Sequence, residues 1–255
     1  MSFGFYKMRK NGFSYPFDRL QIVSWALFVV TVFSFYFTYL PLSHYSYLPI
    51  SCVPYTITLF MVVYYTFKVC ISNPGDPNLL GTSKALSKDK KRCTVCCSSV
   101  NNSSKHCTYC EKCVFGFDHH CRILNNCIGN SNYNDFFKLI VWVELLLCVQ
   151  LIVAGFVLAD FRGLKMDLGF LVFVLMESIV HTGLLVANGF FIGFHCWISW
   201  NGSSTIEFIL NNRKRSKSVV PALDKSSIGE QYVINSPQSK DHSFMSISKD
   251  ASTNM

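Results

Sequence analysis

Eight of the twelve cysteines and three of the seven histidines lie in one short segment, between Cys93 and Cys127. The Cys-x2-Cys spacing of Cys93 and Cys96 lets two thiolates approach one ion tetrahedrally, and a mixture of sulfur and imidazole favours zinc over hard cations. Clustered thiols in a reducing compartment more often bind metal than form disulfides. The segment therefore predicts a zinc-binding region if it faces the cytosol.

This segment offers more candidate ligands than two zinc ions need. A structural zinc ion takes four protein ligands, so two sites use eight of the eleven candidates and leave three. Because adjacent residues of an extended chain point in opposite directions, His106 and Cys107 can serve different ions. The predicted ligands are Cys93, Cys96, His106 and Cys113 for the first site, and Cys107, Cys110, His120 and Cys127 for the second.

Two of the three remaining residues, His119 and Cys121, share one face of an extended chain, and Asp118 precedes them. A free cysteine has a pKa of about 8.5, and a neighbouring histidine makes the thiolate available. His119 can accept the proton of Cys121 while Asp118 orients the imidazole ring. We predict that Cys121 is a nucleophile in a loop shaped by two structural zinc ions, and interpret Cys97 as a bystander. A zinc-ribbon interaction module with a spare thiol is the alternative.

Four apolar segments surround the cluster, at residues 20–40, 48–71, 136–158 and 168–197. At about 1.5 Å per residue, each can cross a hydrocarbon core of about 30 Å. Half of the chain is hydrophobic and only 15% is charged, which is too apolar for an ordinary soluble domain. The predicted fold class is an all-α multi-pass membrane protein. It has four transmembrane helices, with a small zinc-stapled cysteine-rich domain at 72–135 between the second and the third.

The basic residues predict which parts of the chain face the cytosol. Segments 1–19, 72–135 and 198–255 carry an excess of lysine and arginine, whereas the connection at 41–47 has no charge. Basic segments stay on the cytosolic side, so both termini and the cysteine-rich domain are predicted to be cytosolic. We attribute the net charge of +8 to this topology and expect no nucleic-acid partner. The tail after residue 213 is predicted to be mostly disordered.

At this point the sequence resembles the DHHC palmitoyltransferase family. The residues that carry the resemblance are Asp118-His119-His120-Cys121, Asn126-Cys127-Ile128-Gly129, Asn132, Phe136, Asn73-Pro74-Gly75 and Ser204-Thr205-Ile206-Glu207. The last two resemble the family's Asp-Pro-Gly and Thr-Thr-x-Glu motifs. The sequence departs from the family at Arg122-Ile123, which stand where Pro-Trp is usual, and Asn73 and Ser204 replace an Asp and a Thr.

The resemblance implies a two-step reaction. Cys121 would take the acyl chain from palmitoyl-CoA as a thioester and pass it to a cysteine of a membrane-associated client protein. The family's zinc ligands fall on the eight positions named above, and its acyl chain lies in a pocket between the spans. The partners implied are long-chain acyl-CoA, client proteins and the bilayer, in the endoplasmic reticulum or Golgi. A catalytically impaired relative, or a zinc-stapled membrane adaptor without turnover, is the alternative.

Overall fold

A computed structural model of the protein describes residues 8–42, 48–81, 90–159 and 167–219. Four of the helices in this part are long and apolar enough to cross a membrane. The helices are α1 (Arg19–Ser34), α2 (Leu40–Leu42), α3 (Leu48–Ile71), α4 (Tyr133–Ala159), α5 (Leu168–Trp200) and α6 (Thr205–Val219). A π-helical turn, Phe35–Tyr39, joins α1 to α2, so that the first span is not a uniform α-helix. The chain is therefore a mostly helical, multi-pass membrane protein.

The helix ends follow from local capping and from contacts outside the apolar segments. Asp18 caps α1 by accepting a hydrogen bond from the amide of Leu20 at 2.8 Å, and Asp167 caps α5. Helix α3 has the bounds predicted from hydropathy, whereas α4 begins three residues earlier and α5 ends three residues later than predicted. With 33 residues, α5 is about 50 Å long, well beyond the hydrocarbon core.

Helix α6 starts with a reciprocal capping box. The amide of Ser204 donates to Oε2 of Glu207 at 3.2 Å, and the amide of Glu207 donates to Oγ of Ser204 at 3.3 Å. The sequence predicted disorder after residue 213, but α6 continues to Val219, through basic residues that are good helix formers. The rest of that prediction falls on residues 220–255, which lie outside the described part of the chain.

The cysteine-rich region consists of three two-stranded antiparallel hairpins, so the all-α class predicted from the sequence is correct for the membrane part only. The hairpins are β1 (Lys90–Cys93) with β2 (Ser98–Asn101), β3 (Lys105–Cys107) with β4 (Lys112–Val114), and β5 (His119–Cys121) with β6 (Asn126–Ile128). Each turn contains one residue with a φ near +50°: Cys97, Glu111 and Asn125. Strands of three or four residues carry no readable hydrophobic alternation, which explains why the sequence pattern did not reveal them.

Buried asparagines attach the third hairpin to the end of α3. The side-chain amide of Asn126 donates to the carbonyls of Val69 and Ser72, both at 2.9 Å. Asn132 donates to Oγ of Ser72 at 2.8 Å and to the carbonyl of Cys127 at 3.0 Å. These bonds satisfy carbonyl groups at the helix end that have no partner within the helix. They fix the hairpin that carries the predicted nucleophile to the membrane bundle.

Asp76 makes a second connection between the end of α3 and the cysteine-rich region. Its side chain is fully buried between α3 and the first two hairpins. Its carboxylate accepts hydrogen bonds from the amide of Asn101 at 2.9 Å and from the hydroxyl of Ser104, and its own amide donates to the carbonyl of Cys113 at 2.8 Å. Nearby, Nζ of the buried Lys112 donates to Oδ1 of Asn73 at 2.7 Å. The segment after α3 thus holds the first two hairpins by buried polar contacts.

Candidate functional site

The structure gathers the eight cysteine and histidine side chains that the sequence singled out as ligands into two groups of four. The first tetrad is Cys93, Cys96, His106 and Cys113, and the second is Cys107, Cys110, His120 and Cys127. Within each tetrad the possible ligand atoms all lie within 4.8 Å of one another. All twelve cysteines carry free thiols, so no disulfide competes with metal binding.

The interatomic distances in both tetrads fit tetrahedral zinc. Zn–S bonds of about 2.3 Å and Zn–N bonds of about 2.0 Å place two sulfurs about 3.8 Å apart, and a sulfur about 3.5 Å from a nitrogen. Sγ of Cys96 lies 3.8 Å from Sγ of Cys113 and 3.3 Å from Nδ1 of His106. In the second tetrad, Nδ1 of His120 lies 3.4 Å from Sγ of Cys110 and 3.6 Å from Sγ of Cys127. The clusters can therefore hold two zinc ions.

The three hairpins follow a repeat of 14 residues that the sequence analysis missed. The first strand of each hairpin ends at a cysteine, at Cys93, Cys107 and Cys121. The residues three positions further on are Cys96, Cys110 and Leu124. The left-handed turn residues Cys97, Glu111 and Asn125 occupy the next position. Cys121 therefore occupies the position that a predicted zinc ligand has in each of the other two hairpins. Leu124 stands where those hairpins have their second cysteine.

This repeat gives a structural reason why Cys121 belongs to neither tetrad. Each Cys-x2-Cys pair is completed by one histidine and one cysteine of the next hairpin, as His106 and Cys113 complete the first tetrad. The third hairpin is followed by α4 instead of a fourth hairpin, and Leu124 packs into the membrane-side core with an exposed fraction of 6%. The third hairpin thus lacks the cysteine three positions after its first one, and no further hairpin follows to supply a histidine and a cysteine. Its other cysteine, Cys127, already belongs to the second tetrad.

Strand β5 places His119 and Cys121 on one face and turns His120 towards the second tetrad. Nδ1 of His119 lies 2.7 Å from Oδ2 of Asp118, whose side chain is 4% exposed. The Cys121 thiol lies close enough to the His119 ring to contribute to the raised pKa of the imidazole. The structure therefore brings together the three residues singled out as a nucleophile, a base and an orienting group.

Asp118 and His119 form an ion pair. Burial lowers the pKa of His119, but the hydrogen bonds with Asp118 and Cys121 outweigh it and raise the pKa to about 9. Burial raises the pKa of the Asp118 carboxyl, but the hydrogen bonds from His119 and Thr205 together hold that pKa below its usual value. An imidazolium beside a thiol is an arrangement that activates cysteine nucleophiles.

Thr205 is a site residue to which the sequence analysis gave no role. Its amide donates to Oδ1 of Asp118 at 2.7 Å, and its hydroxyl donates to Oδ2 at 2.8 Å. These two bonds hold the carboxylate in the orientation in which it meets His119. Thr205 and Asp118 are 87 residues apart in the chain, so no local pattern could link them.

Fold and site together define a multi-pass membrane protein with a cysteine-rich domain between its second and third spans that could bind metal. The model of the DHHC palmitoyltransferase family matches residues 86–212, about half of the chain, and the chain belongs to this family. Members of the family are protein S-acyltransferases. No curated protein gives a significant match to the chain.

Arg122, which follows the predicted nucleophile and stands where the family usually has proline, forms an ion pair with Asp18. Its Nε and Nη2 lie 2.9 and 3.2 Å from the two carboxylate oxygens. Next to this pair, Asn125 donates to the carbonyls of Gly12 at 3.4 Å and Pro16 at 3.2 Å. The segment before α1 therefore holds the turn of the third hairpin at several points.

The Asp18–Arg122 pair is expected to show a measurable coupling in a double-mutant cycle with Asp18→Ala and Arg122→Ala. The pair is bidentate but the Arg122 side chain is 49% exposed, so we expect a small coupling that is reduced further by salt. The cycle also removes the contribution of Asp18 as helix cap, which the single and double variants share. The coupling is obtained from the free energies of unfolding, in detergent, of the wild type, the two single variants and the double variant.

The single-contact pair Lys68–Asp135, with a 3.0 Å distance, serves as the control and should show a smaller coupling. Strictly additive effects of Asp18→Ala and Arg122→Ala would contradict a contribution of this pair to stability.

Proposed function

We propose that this protein is a protein S-acyltransferase that moves palmitate from palmitoyl-CoA, through a thioester on Cys121, to cysteines of membrane-associated client proteins. One observation carries this proposal. Cys121 lies beside two cysteine–histidine tetrads, belongs to neither, and interacts instead with the His119 ring of a His119–Asp118 pair. Membership of the DHHC family supports the same reaction.

In the first step, the Cys121 thiolate attacks the thioester carbonyl carbon of palmitoyl-CoA. A bond forms between the Cys121 sulfur and this carbon, and the bond to the CoA sulfur breaks with its electron pair on the CoA sulfur. The His119 imidazolium donates its proton to that sulfur, so that CoA leaves as the thiol. The products are an acylated Cys121 and a neutral His119, which keeps its Nδ1 proton and donates it in a hydrogen bond to the Asp118 carboxylate.

In the second step, neutral His119 accepts the proton of the client thiol. The client thiolate attacks the carbonyl carbon of the acyl-Cys121 thioester, and the Cys121 sulfur leaves as a thiolate next to the regenerated imidazolium. Protons and electrons balance over the two steps, and no other reactant is needed. The side chain of Asp118, held by Thr205, keeps one orientation of the ring through both steps.

Zinc ions bound to the two tetrads would supply structure, because four protein ligands leave no open position for substrate. The first would be held by Cys93, Cys96, His106 and Cys113, and the second by Cys107, Cys110, His120 and Cys127. Their contribution is the shape of the hairpins. This shape keeps His119 and Cys121 within hydrogen-bond reach of each other.

The environment of Cys121 favours a lipid substrate. Its side chain packs against the apolar cluster that runs from Leu124 and Ile128 into the membrane bundle, through Val69 of α3 and Leu139 of α4. An acyl chain bound to the sulfur therefore has an apolar environment between the spans. We place both termini and the hairpins in the cytosol, on an endomembrane of the endoplasmic reticulum or Golgi, where acyl-CoA and clients with a first membrane anchor meet.

The experiment uses purified full-length protein, radiolabelled palmitoyl-CoA and a cysteine peptide anchored to vesicles. We expect a hydroxylamine-labile label to appear first on the protein and then on the peptide, with one CoA released for each acyl group. A catalytically impaired relative would load and not transfer, and a zinc-stapled adaptor would not load. Either of these two results would overturn the proposal.

Thr205→Val is expected to slow acyl loading about tenfold. The variant removes the hydroxyl that donates to Oδ2 of Asp118 and keeps the amide donor, so the carboxylate loses one of its two anchors. A hydrogen bond to a charged group contributes about 1.5–3 kcal/mol, which is enough for such an effect if the Asp118 orientation matters in the transition state. Rapid quenching of the loading reaction measures the rate.

Thr205→Ser keeps the hydroxyl and is the matched control, with an expected loading rate close to that of the wild type. Equal rates for the valine and serine variants would show that the hydroxyl has no part in orienting Asp118.

A further inference from the structure

His195 on α5 is a fully buried histidine next to the catalytic pair, and the reaction described above does not use it. Its Nδ1 lies 3.1 Å from the hydroxyl of Tyr133, at the start of α4. Its Nε2 is buried and has no hydrogen-bond partner within the described residues. An unpaired buried nitrogen destabilises a fold, so its presence at this place calls for a role.

The position of His195 points to the pair of Asp118 and His119. Polar atoms of the three side chains lie within 4.8 Å of one another. A separation of this size is spanned by one water molecule, which would give Nε2 of His195 a partner. A third zinc site fits less well, because both carboxylate oxygens of Asp118 already accept hydrogen bonds from Thr205 and one of them also binds His119.

The ring of His119 is held on two sides by aromatic neighbours from different helices. Phe136 of α4 meets it edge-on, with ring centroids 5.2 Å apart, and His195 of α5 lies at 5.9 Å. The bond to Asp118 fixes one atom of the imidazole but leaves rotation about that contact free. Two flanking rings restrict this rotation, and with it the direction of the nitrogen that faces Cys121.

His195 is itself firmly anchored. The Tyr133 hydroxyl lies between Nδ1 of His195 and Oγ of Ser199, at 3.1 Å from each, which joins α4 to α5 at the level of the site. Phe191 packs edge-on against the His195 ring at 4.5 Å. Because Thr205 follows the end of α5 after four residues, the same part of the chain holds Asp118 through Thr205 and flanks His119 through His195.

We propose, on the basis of the acyltransferase function, that His195 is a positioning residue for His119. It keeps the imidazole ring aimed at Cys121 in the two half-reactions. A polar side chain suits this position because a ring nitrogen of His195 lies within 4.8 Å of the polar atoms of Asp118 and His119, whereas an apolar residue would offer the packing alone. Small displacements of a catalytic base reduce rates by up to about a hundredfold.

The test compares His195→Leu, His195→Gln and Tyr133→Phe with the wild type. His181→Leu is the matched control: this histidine is also buried on α5, lies 14 residues away, and bonds to the carbonyl of Glu177 at 2.8 Å. The measurements are the kcat and KM of Cys121 loading from palmitoyl-CoA, the rate of transfer to a vesicle-anchored peptide, and the zinc content of each protein.

We expect His195→Leu to lower kcat for loading and transfer at least about tenfold, with KM within about twofold of the wild type and zinc unchanged. His195→Gln should recover part of the loss, because its amide restores a polar group. Tyr133→Phe, which removes one hydroxyl and preserves packing, should lower kcat about threefold, and His181→Leu should lie within about twofold of the wild type.

Three results overturn the inference while leaving the acyltransferase function in place. These are wild-type kinetics for His195→Leu, an equal loss in His181→Leu, or a loss in both His195 variants that follows zinc release while Tyr133→Phe is unaffected. Absence of loading in the wild type is a different result, since it removes the proposed function itself.

Discussion

Cys121→Ser is expected to abolish acyl loading, by at least about a thousandfold, and to leave the zinc content of the protein unchanged. The effect on loading follows because a serine hydroxyl in this position is not activated by a pair built to stabilise a thiolate. The unchanged zinc content follows from the repeat of the three hairpins. Cys121 has a leucine, Leu124, where the other hairpins have their second cysteine, and no following hairpin supplies the remaining ligands. Cys127, on the other strand of the same hairpin, belongs to the second tetrad.

The matched control for this variant is Cys97→Ser. Cys97 is exposed, belongs to neither tetrad, and its thiol donates to the carbonyl of Thr94 at 3.3 Å. This variant should load like the wild type and retain the same zinc. Loading by Cys121→Ser at an appreciable fraction of the wild-type rate would mean that another cysteine is the acceptor.

Cys107→Ser is expected to lower the zinc content from two ions to one or fewer and to unfold the hairpins. Cys107 is 4% exposed and, with Cys110, Val114 and Cys127, makes up a small buried cluster of its own. Strands of three and four residues around so little apolar surface have no adequate core without metal. Structural zinc contributes about 10–16 kcal/mol, which is as large as the whole stability of a typical domain.

Elemental analysis of the purified variant measures the zinc, and limited proteolysis of residues 90–128 measures the unfolding. Because the two tetrads share the middle hairpin, loss of the second ion should also weaken the first. If the Cys107→Ser protein bound two zinc ions and resisted proteolysis as well as the wild type does, the assignment of Cys107 as a ligand would be contradicted. The Cys97→Ser protein is again the control.

The membrane helices could be predicted from the sequence because their signal is local. Twenty or so apolar residues in a row can satisfy their backbone only as a helix in lipid, and α3 has the bounds that hydropathy gave. The grouping of the ligands into two tetrads could be anticipated for a similar reason. Neighbouring residues such as His106 and Cys107 point in opposite directions in a short strand, so the spacing indicates that they belong to different tetrads.

The parts of the site that could not be predicted depend on contacts between distant segments. Thr205 reaches Asp118, and His195 reaches His119, only because α5 extends past the membrane core and carries its last turns to the third hairpin. The Asp18–Arg122 pair likewise joins residues 104 positions apart. The 14-residue repeat was present in the sequence, but its meaning depends on knowing that each first strand ends at the cysteine.

The most direct test is native mass spectrometry of the intact protein before and after incubation with palmitoyl-CoA, followed by mapping of the modified residue. We predict two zinc ions throughout and one acyl group, attached to Cys121, in the same molecules. An acyl group that appears only in molecules that have lost zinc, or on any other cysteine, would contradict the claim that the sulfur of Cys121 is kept free of metal for the transfer.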